Sequence, residues 1–141
     1  MFSQNLINLR KIHKMSQEEL ADRLGVSRQT LSKWETGESL PDISRSMEIA
    51  DIFDVTLDEL VNFEYEDNGE IIAPPPRGKH MFGKVKVGEN GQIILPAKAI
   101  KIFNIKPGDN LILLGDDMQG MALIKEKGFW NLTKQAIGLK C

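Results

Sequence analysis

Seven hydrogen-bonding side chains fall within one stretch of seventeen residues: Gln17, then Ser27, Arg28, Gln29, Thr30, Ser32 and Lys33. Their chemistry suits the edges and phosphates of a nucleic acid. Arg28 has the fork geometry for a bidentate contact to guanine, Gln29 the amide for one to adenine, and Lys33 a charge for guanine or phosphate. Gln17 stands at the expected amino end of another helix, where amide groups and the helix dipole favour an anion. Taken singly, each reads as readily as an ordinary solvated side chain. Their concentration at one helix start is what points to base reading, because the start of such a helix is the part that enters a major groove.

The sequence offers little for making and breaking bonds. Catalysis needs an activated nucleophile, an acid–base pair or a metal. His13 falls in a helical stretch and His80 in a proline-rich one, with no carboxylate pattern flanking either. Both read as exposed or partly packed side chains. The single cysteine, Cys141, makes no internal disulfide and begins no thiolate metal site, so it reads as an exposed thiol at a frayed end. Residues 83–91 combine glycines with lysines but lack the strand-loop-helix spacing of a phosphate-binding loop. No enzyme, cofactor or metal site is expected.

The elements that must position the seven side chains follow from periodicity and punctuation. Leu6, Leu9 and Ile12, with Ile7 alongside, recur at helical steps and are expected to face a core. Ser16-Gln17-Glu18-Glu19 is a capping box that starts a second helix, and Gly25 suits the left-handed residue that ends it. Ser27 caps a third helix from residue 28 to about 36, which Gly37 stops. In it Leu31 and Trp34, three apart, share the buried face. After Leu40-Pro41-Asp42 a fourth helix carries Ile43, Met47, Ala50 and Phe53. Thr56-Leu57-Asp58-Glu59 is a second capping box and opens a fifth through Leu60 and Val61.

Beyond this point the composition changes. Residues 64–68 are mostly acidic, and Pro74-Pro75-Pro76-Arg77-Gly78 sustains neither helix nor sheet ladder, so 66–80 reads as a semi-rigid linker with flexible flanks at Asn68-Gly69 and Arg77-Gly78. The formal net charge of −2 conceals two unlike halves. Residues 1–73 carry seven basic and fifteen acidic side chains, net −8, and residues 74–141 eleven basic and five acidic, net +6. An acidic domain still binds DNA if its basic groups share a face, so charge alone decides nothing. From Gly83 the pattern is that of strands. Val85 and Val87 alternate with Lys84 and Lys86, and Glu89-Asn90-Gly91 supplies a hairpin turn before Gln92-Ile93-Ile94-Leu95. Pro96 suits a first helical position, Asn104 a left-handed cap, and strands are expected at 111–114 and 121–125. An amphipathic stretch with helical character follows from Phe129 to Leu139.

Ser16-Gln17-Glu18-Glu19-Leu20-Ala21 through Ser27-Arg28-Gln29-Thr30-Leu31-Ser32-Lys33-Trp34-Glu35-Thr36-Gly37 resembles the phage repressor and Cro type of helix-turn-helix, the XRE family. Ala21, Gly25, Val26 and Leu31 supply the small residue, the turn glycine and the apolar corner that this motif needs. Residues 83–96, with Ile105-Lys106-Pro107-Gly108-Asp109-Asn110-Leu111, resemble the AbrB-type swapped-hairpin domain. The resemblances imply an all-α five-helix helix-turn-helix domain (1–65), the linker (66–80), a small β-rich swapped-hairpin dimerisation domain (81–127) and a C-terminal amphipathic segment (128–141). In the second family two chains interlace their hairpins into one barrel, which often binds DNA through an arginine after the hairpin glycine and basic residues late in the short helix. Here those positions hold Gln92, Ile100 and Lys101. Dimerisation alone is therefore weighed above dimerisation with DNA contact, although Lys84, Lys86, Lys98 and Lys101 keep the module basic and are possible secondary contacts.

The expected function is a sequence-specific, double-stranded-DNA-binding transcriptional regulator, acting as a homodimer through 81–127 on an operator, in the cytoplasm and on the nucleoid. With no apolar run of spanning length and no secretion signal, no membrane association is expected. The alternative is an antitoxin that binds its own operator and a protein toxin. Phe129, Trp130, Leu132, Ala136 and Ile137 would then cover the protein partner, whereas the plainer expectation is that they pack back on the dimer.

Overall fold

The computed structural model describes residues 1–136, which divide into two compact units, Met1–Gly83 and Lys84 onward. The expected exposed thiol of Cys141 and the positions Ile137 and Leu139 lie outside the described residues.

Unit 1 is built from five helices: α1 (Phe2–Ile12), α2 (Gln17–Leu24), α3 (Arg28–Thr36), α4 (Ile43–Ile52) and α5 (Leu57–Asn62). Phe2, Leu6 and Leu9 form the buried stripe of α1, but Ile12, expected inside, is 64% exposed. The helix ends there, Lys14 turns the chain at φ +52°, and Met15 packs against the core. The capping box at α2 forms as expected. The Ser16 hydroxyl accepts from the Glu19 amide at 3.1 Å, and the Glu19 carboxylate accepts from the Ser16 amide at 2.9 Å. Gly25 takes the left-handed conformation, φ +66°. Ser27, Asp42 and Thr56 cap α3, α4 and α5 by accepting from the amide three residues on. On α4 the inward face is Ser46, Ile49 and Ala50, with Phe53 just beyond; Ile43 and Met47 point to solvent. Leu20, Leu24, Leu31, Ile49 and Leu60 complete a sealed centre. Each such side chain stabilises the fold by about 1.5–3 kcal/mol.

Residues 66–80 carry structure of their own. β1 (Glu66–Asp67) pairs antiparallel with β2 (Glu70–Ile71). Asn68 and Gly69, at φ +52° and +80°, form the two-residue turn between them. A flank expected to be flexible is thus a closed Asn-Gly hairpin, whose two left-handed residues match the strand twist. Ala73 packs against the core and Pro74 is buried. Arg77 then ties the segment to the α4–α5 corner. Its amide donates to the Asp54 carbonyl at 2.8 Å, its Nε to the Val55 carbonyl at 2.9 Å, and its Nη2 to Asp51 Oδ1 at 2.6 Å.

Unit 2 contains α6 (Ala97–Ile102), the antiparallel hairpin β3 (Leu111–Asp116) and β4 (Gly120–Lys125), and α7 (Glu126–Ala136). Pro96 is the residue before α6 rather than its first, and Asn104 is left-handed at φ +50°, as expected. The turn at 89–91 also forms, closed by Gly88 N–H to the Gln92 carbonyl at 2.8 Å. Its flanks do not become strands in the single chain. Val87 is 64% and Ile94 87% exposed, and Ala99 is the buried apolar residue of this unit among the described residues. A pleated ladder needs a partner for its amides and a cover for its apolar face, and among the described residues segment 84–95 forms no strand ladder and leaves Val85, Val87, Ile93 and Ile94 exposed.

Candidate nucleic-acid interface

The third helix is held by its back. Leu31, Trp34 and Glu35 lie on the buried side of α3, one turn apart, while Gln29, Lys33 and Thr36 recur at helical spacing on the opposite side and are exposed. Ser32 is half-buried beside that row, and Arg28 is exposed at its edge. Among the described residues, the Gln29 and Lys33 side chains make no hydrogen bond or ion pair and remain available to a ligand. Thr36 was absent from the sequence expectation; its place one turn beyond Ser32 and Lys33 is readable from spacing.

Ser27 and Thr30 stand differently. The Ser27 hydroxyl accepts from the Thr30 amide at 3.1 Å and lies 2.9 Å from the Thr30 hydroxyl. Both are committed to starting the helix. A neutral cap of this kind contributes about 1 kcal/mol, so these side chains have a structural role before any other.

Gln17 and Arg28, eleven residues apart, are brought together by a buried carboxylate. Glu35 accepts from Arg10 Nε at 2.6 Å and Nη2 at 3.3 Å, and from Gln17 Nε2 at 2.6 Å. With its amide nitrogen thus engaged, Gln17 presents Oε1 to Arg28 Nε at 3.4 Å. Arg28 Nη1 also lies 3.9 Å from Glu18 Oε1, both side chains being well exposed, which makes that pair weak. Arg10 Nη1 further donates to the Met15 carbonyl at 3.0 Å, bracing the α1–α2 turn. The relay from α1 through α3 to α2 fixes where the two helices meet. Arg10 was missed in the sequence because its partner is distant, whereas Glu35, four residues after Leu31, carries the signal of a buried-face position.

Lys84, Lys86, Lys98 and Lys101 are all exposed on unit 2, Lys101 in the last turn of α6. The Gln92 side chain folds over the turn: its Oε1 accepts from the Asn90 amide at 2.9 Å, and a Cβ at Gly88 would come within 2.7 Å of its amide group. Position 92 therefore braces the hairpin from within.

The His13 ring sits 2.9 Å from the Leu9 carbonyl through Nδ1 and 5.0 Å from the Phe53 ring, and His80 stacks on Phe82 at 5.6 Å. Among the described residues, no three His, Cys, Asp or Glu side chains are grouped to hold a metal ion. No helix among them is long and apolar enough to cross a membrane.

Comparison with known proteins gives two family matches. Residues 6–60 match the helix-turn-helix family, and residues 84–131 match the antidote-toxin recognition MazE, bacterial antitoxin family. The chain is 34% identical over 102 residues to the uncharacterized HTH-type transcriptional regulator YqaE of Bacillus subtilis, covering 69% of this chain and 85% of that protein. It is 41% identical over 59 residues to the uncharacterized HTH-type transcriptional regulator MJ0272 of Methanocaldococcus jannaschii, covering 42% of this chain and 86% of that protein. Over 63 residues, 45% of this chain, it is 41% identical to the HTH-type transcriptional activator BcrR of Enterococcus faecalis, of which it spans 31%.

Proposed function

This chain belongs to the helix-turn-helix transcriptional regulators, and we propose on that premise that it binds double-stranded operator DNA in the cytoplasm, on the nucleoid, as a two-fold dimer with α3 in the major groove. The observation that carries the reading is the exposed row Gln29 and Lys33 on a helix whose opposite side is clamped by Leu31, Trp34 and Glu35. A rigid helix with adjustable polar tips is the arrangement that reads base edges. Arg28 and Gln29 contact bases, Lys33 a base or phosphate, and Ser32 flanks them. Ser27 and Thr30 set the helix start against the backbone. Gln17, at the first position of α2, takes a phosphate there.

Dimerisation through residues 81–127 is supported by the exposed flanks of the 88–92 turn, which carry Val85, Val87, Ile93 and Ile94. A second copy supplies the missing ladder partner and cover. Lys84, Lys86, Lys98 and Lys101 then add secondary contacts to DNA only where the barrel reaches it. Two heads per dimer give the paired half-sites that useful specificity needs.

Selection from a pool of random-sequence duplexes tests the reading: the recovered sequences should carry inverted repeats, and alanine at Arg28, Gln29 and Lys33 together should abolish or change the enriched half-site. An unchanged half-site would remove α3 as the reading element.

The MazE family match supports a second reading, an antitoxin that binds its own operator and a protein toxin. Expressing the neighbouring reading frame alone and with this chain separates the two. Growth arrest relieved by co-expression supports the antitoxin, and a harmless neighbour favours the dedicated regulator.

A further inference from the structure

Two Asn-Gly pairs occur in the chain, Asn68-Gly69 and Asn90-Gly91, each at an exposed turn. Such a pair is reactive because glycine has no side chain to hinder its own amide nitrogen, which lies within five-membered-ring reach of the preceding side-chain amide. The two turns are held very differently. At Asn90 the Gly91 N–H donates to the Gly88 carbonyl at 3.0 Å, the Gly88 N–H to the Gln92 carbonyl at 2.8 Å, and the Asn90 N–H to Gln92 Oε1 at 2.9 Å. At Asn68 neither the Gly69 amide nor the Asn68 side chain has a hydrogen-bond partner among the described residues, and nothing lies within 4 Å of where a Gly69 Cβ would stand. The hairpin that this turn closes is also frail. Two rows pair, Glu66 with Ile71 and Asp67 with Glu70, so two carboxylates stand directly opposite beside the turn, an arrangement that opposes pairing. The flanking bonds are long, 3.4 Å from the Ile72 N–H to the Tyr65 carbonyl and 3.5 Å from Asn8 Nδ2 to that of Ile71. We propose that Asn68 is a modification site: it deamidates spontaneously, through a succinimide with Gly69, to aspartate and isoaspartate.

The step needs water and no enzyme. The Gly69 nitrogen, on losing its proton, attacks Asn68 Cγ; the N–Cγ bond forms, the Cγ–Nδ2 bond breaks, and ammonia leaves with the proton. Water then opens the ring. Attack at Cγ restores the ordinary backbone with an aspartate, whereas attack at the Asn68 main-chain carbonyl routes the backbone through the side chain as isoaspartate. One water enters and one ammonia leaves, with no change of oxidation state. Closed, the turn keeps Asn68 left-handed, φ +52°, and the Gly69 nitrogen away from Cγ, so the reaction runs through the open hairpin. The product does not close as before. A new carboxylate sits between Asp67 and Glu70, and isoaspartate adds a methylene to a two-residue turn whose dihedrals match the strand twist. Opening reaches the adjacent chain, since Ile72 and Ala73 follow β2 directly and Ala73 packs against the core. Older copies differ from new ones by one charge and by a loosened segment 66–73.

The test incubates the full chain, unaltered and as Gly69→Ala, in mildly alkaline buffer, both folded and in urea. Peptide mass follows the two Asn-Gly sites, enzymatic methylation identifies isoaspartate, and each folded rate is divided by the rate of the same site in urea. On that scale Asn68 should convert at least about fivefold faster than Asn90, the factor implied by the one hydrogen bond that the Gly91 amide must break. Gly69→Ala, whose methyl hinders the attacking nitrogen, should slow position 68 severalfold in urea as well as in the folded chain and leave position 90 unchanged. Converted chain, separated by charge, should exchange the Glu70 and Ile72 amides faster than unconverted chain. Asn68 converting no faster than Asn90 in the folded chain overturns the proposal. So does a rate untouched by Gly69→Ala, which would mean direct hydrolysis of the side-chain amide rather than a succinimide. Unchanged exchange at Glu70 and Ile72 in the converted chain overturns the structural consequence.

Discussion

Arg10 on α1 and Glu35 on α3 form a two-point ion pair, 2.6 and 3.3 Å, with the two side chains 15% and 6% exposed. The pair joins the first helix to the far end of α3 and leaves Glu35 free to accept from Gln17 as well. Removing one partner strands a charge in a dry setting, which costs about 3–5 kcal/mol, whereas replacing both by apolar residues of similar volume is often close to neutral. Arg10→Met should therefore lower the stability of unit 1 by about 3–5 kcal/mol, and the double variant Arg10→Met/Glu35→Leu by much less. Urea unfolding of the two checks this; equal losses would show that the pair is not electrostatically coupled.

Stability and recognition should separate along α3. Ser27→Ala removes the helix cap and should cost about 1 kcal/mol of stability. Gln29→Ala touches nothing in the fold and should leave stability within about 0.5 kcal/mol while costing about 1–3 kcal/mol of operator binding with altered base preference. Thermal melts beside binding curves read both. A Gln29 variant that unfolds earlier but binds as before would reverse the assignment.

Asn5 closes the carbonyl end of α5. Its Nδ2 donates to the carbonyls of Leu60 at 3.0 Å and Phe63 at 2.8 Å, with that of Glu59 at 3.4 Å, and the residue is 1% exposed. Asn5→Leu fits the volume but takes the side-chain donor from the Leu60 carbonyl, while the Phe63 carbonyl keeps the Met1 ammonium at 3.1 Å and that of Glu59 the Phe63 amide at 3.0 Å, so a loss of about 1–3 kcal/mol is expected. Denaturant midpoints decide it, and a neutral outcome would mean that the last turn of α5 finds other donors.

Lys14 occupies a left-handed position, φ +52°, with Met15 N–H bonded back to the Arg10 carbonyl at 3.0 Å. Glycine takes this conformation without steric cost, so Lys14→Gly should raise stability by about 1 kcal/mol, a rise in Tm of roughly 4–8 °C. No rise would indicate that flexibility gained in the unfolded chain offsets the relief.

Fragments test the boundary. Residues 1–83 keep the strap, and residues 1–73 lose Pro74 and Arg77 with its three hydrogen bonds. The shorter fragment should melt roughly 5–10 °C lower, corresponding to about 1–2 kcal/mol. Light scattering should find both monomeric and residues 84–141 dimeric. A monomeric 84–141 fragment would remove the dimer contact from this module.

Local signals made the first unit readable. Ser16, Gly25, Ser27 and Thr56 mark helix ends through chemistry confined to a few neighbouring residues, so a sequence displays them directly. What escaped was set by distant partners or by where a helix happens to stop. Ile12 continues the apolar period of α1 but falls beyond the last packed turn, and Ile43 and Met47 sit on a face of α4 that no other element of their unit covers. The Asn68-Gly69 turn carried its own signal, obscured by the acidic residues around it and by the prolines that follow. At the candidate site, the outward row on α3 was legible from spacing. The Arg10–Glu35–Gln17 relay was not, because it joins three helices, and no local pattern encodes which buried carboxylate meets which arginine.

If the bare flanks of the 88–92 turn are covered by a second copy, as proposed above, the two units keep different timetables in a growing cell. Unit 1 closes its core with residues from its own chain, a first-order event that can follow as soon as residue 83 has left the ribosome. Segment 84–95 would then wait for an encounter with another copy, so its completion would be second order and its lag would shorten as copies accumulate. Newly made heads would be ready before they are paired, and the amount of protein already present would set how long each remains single.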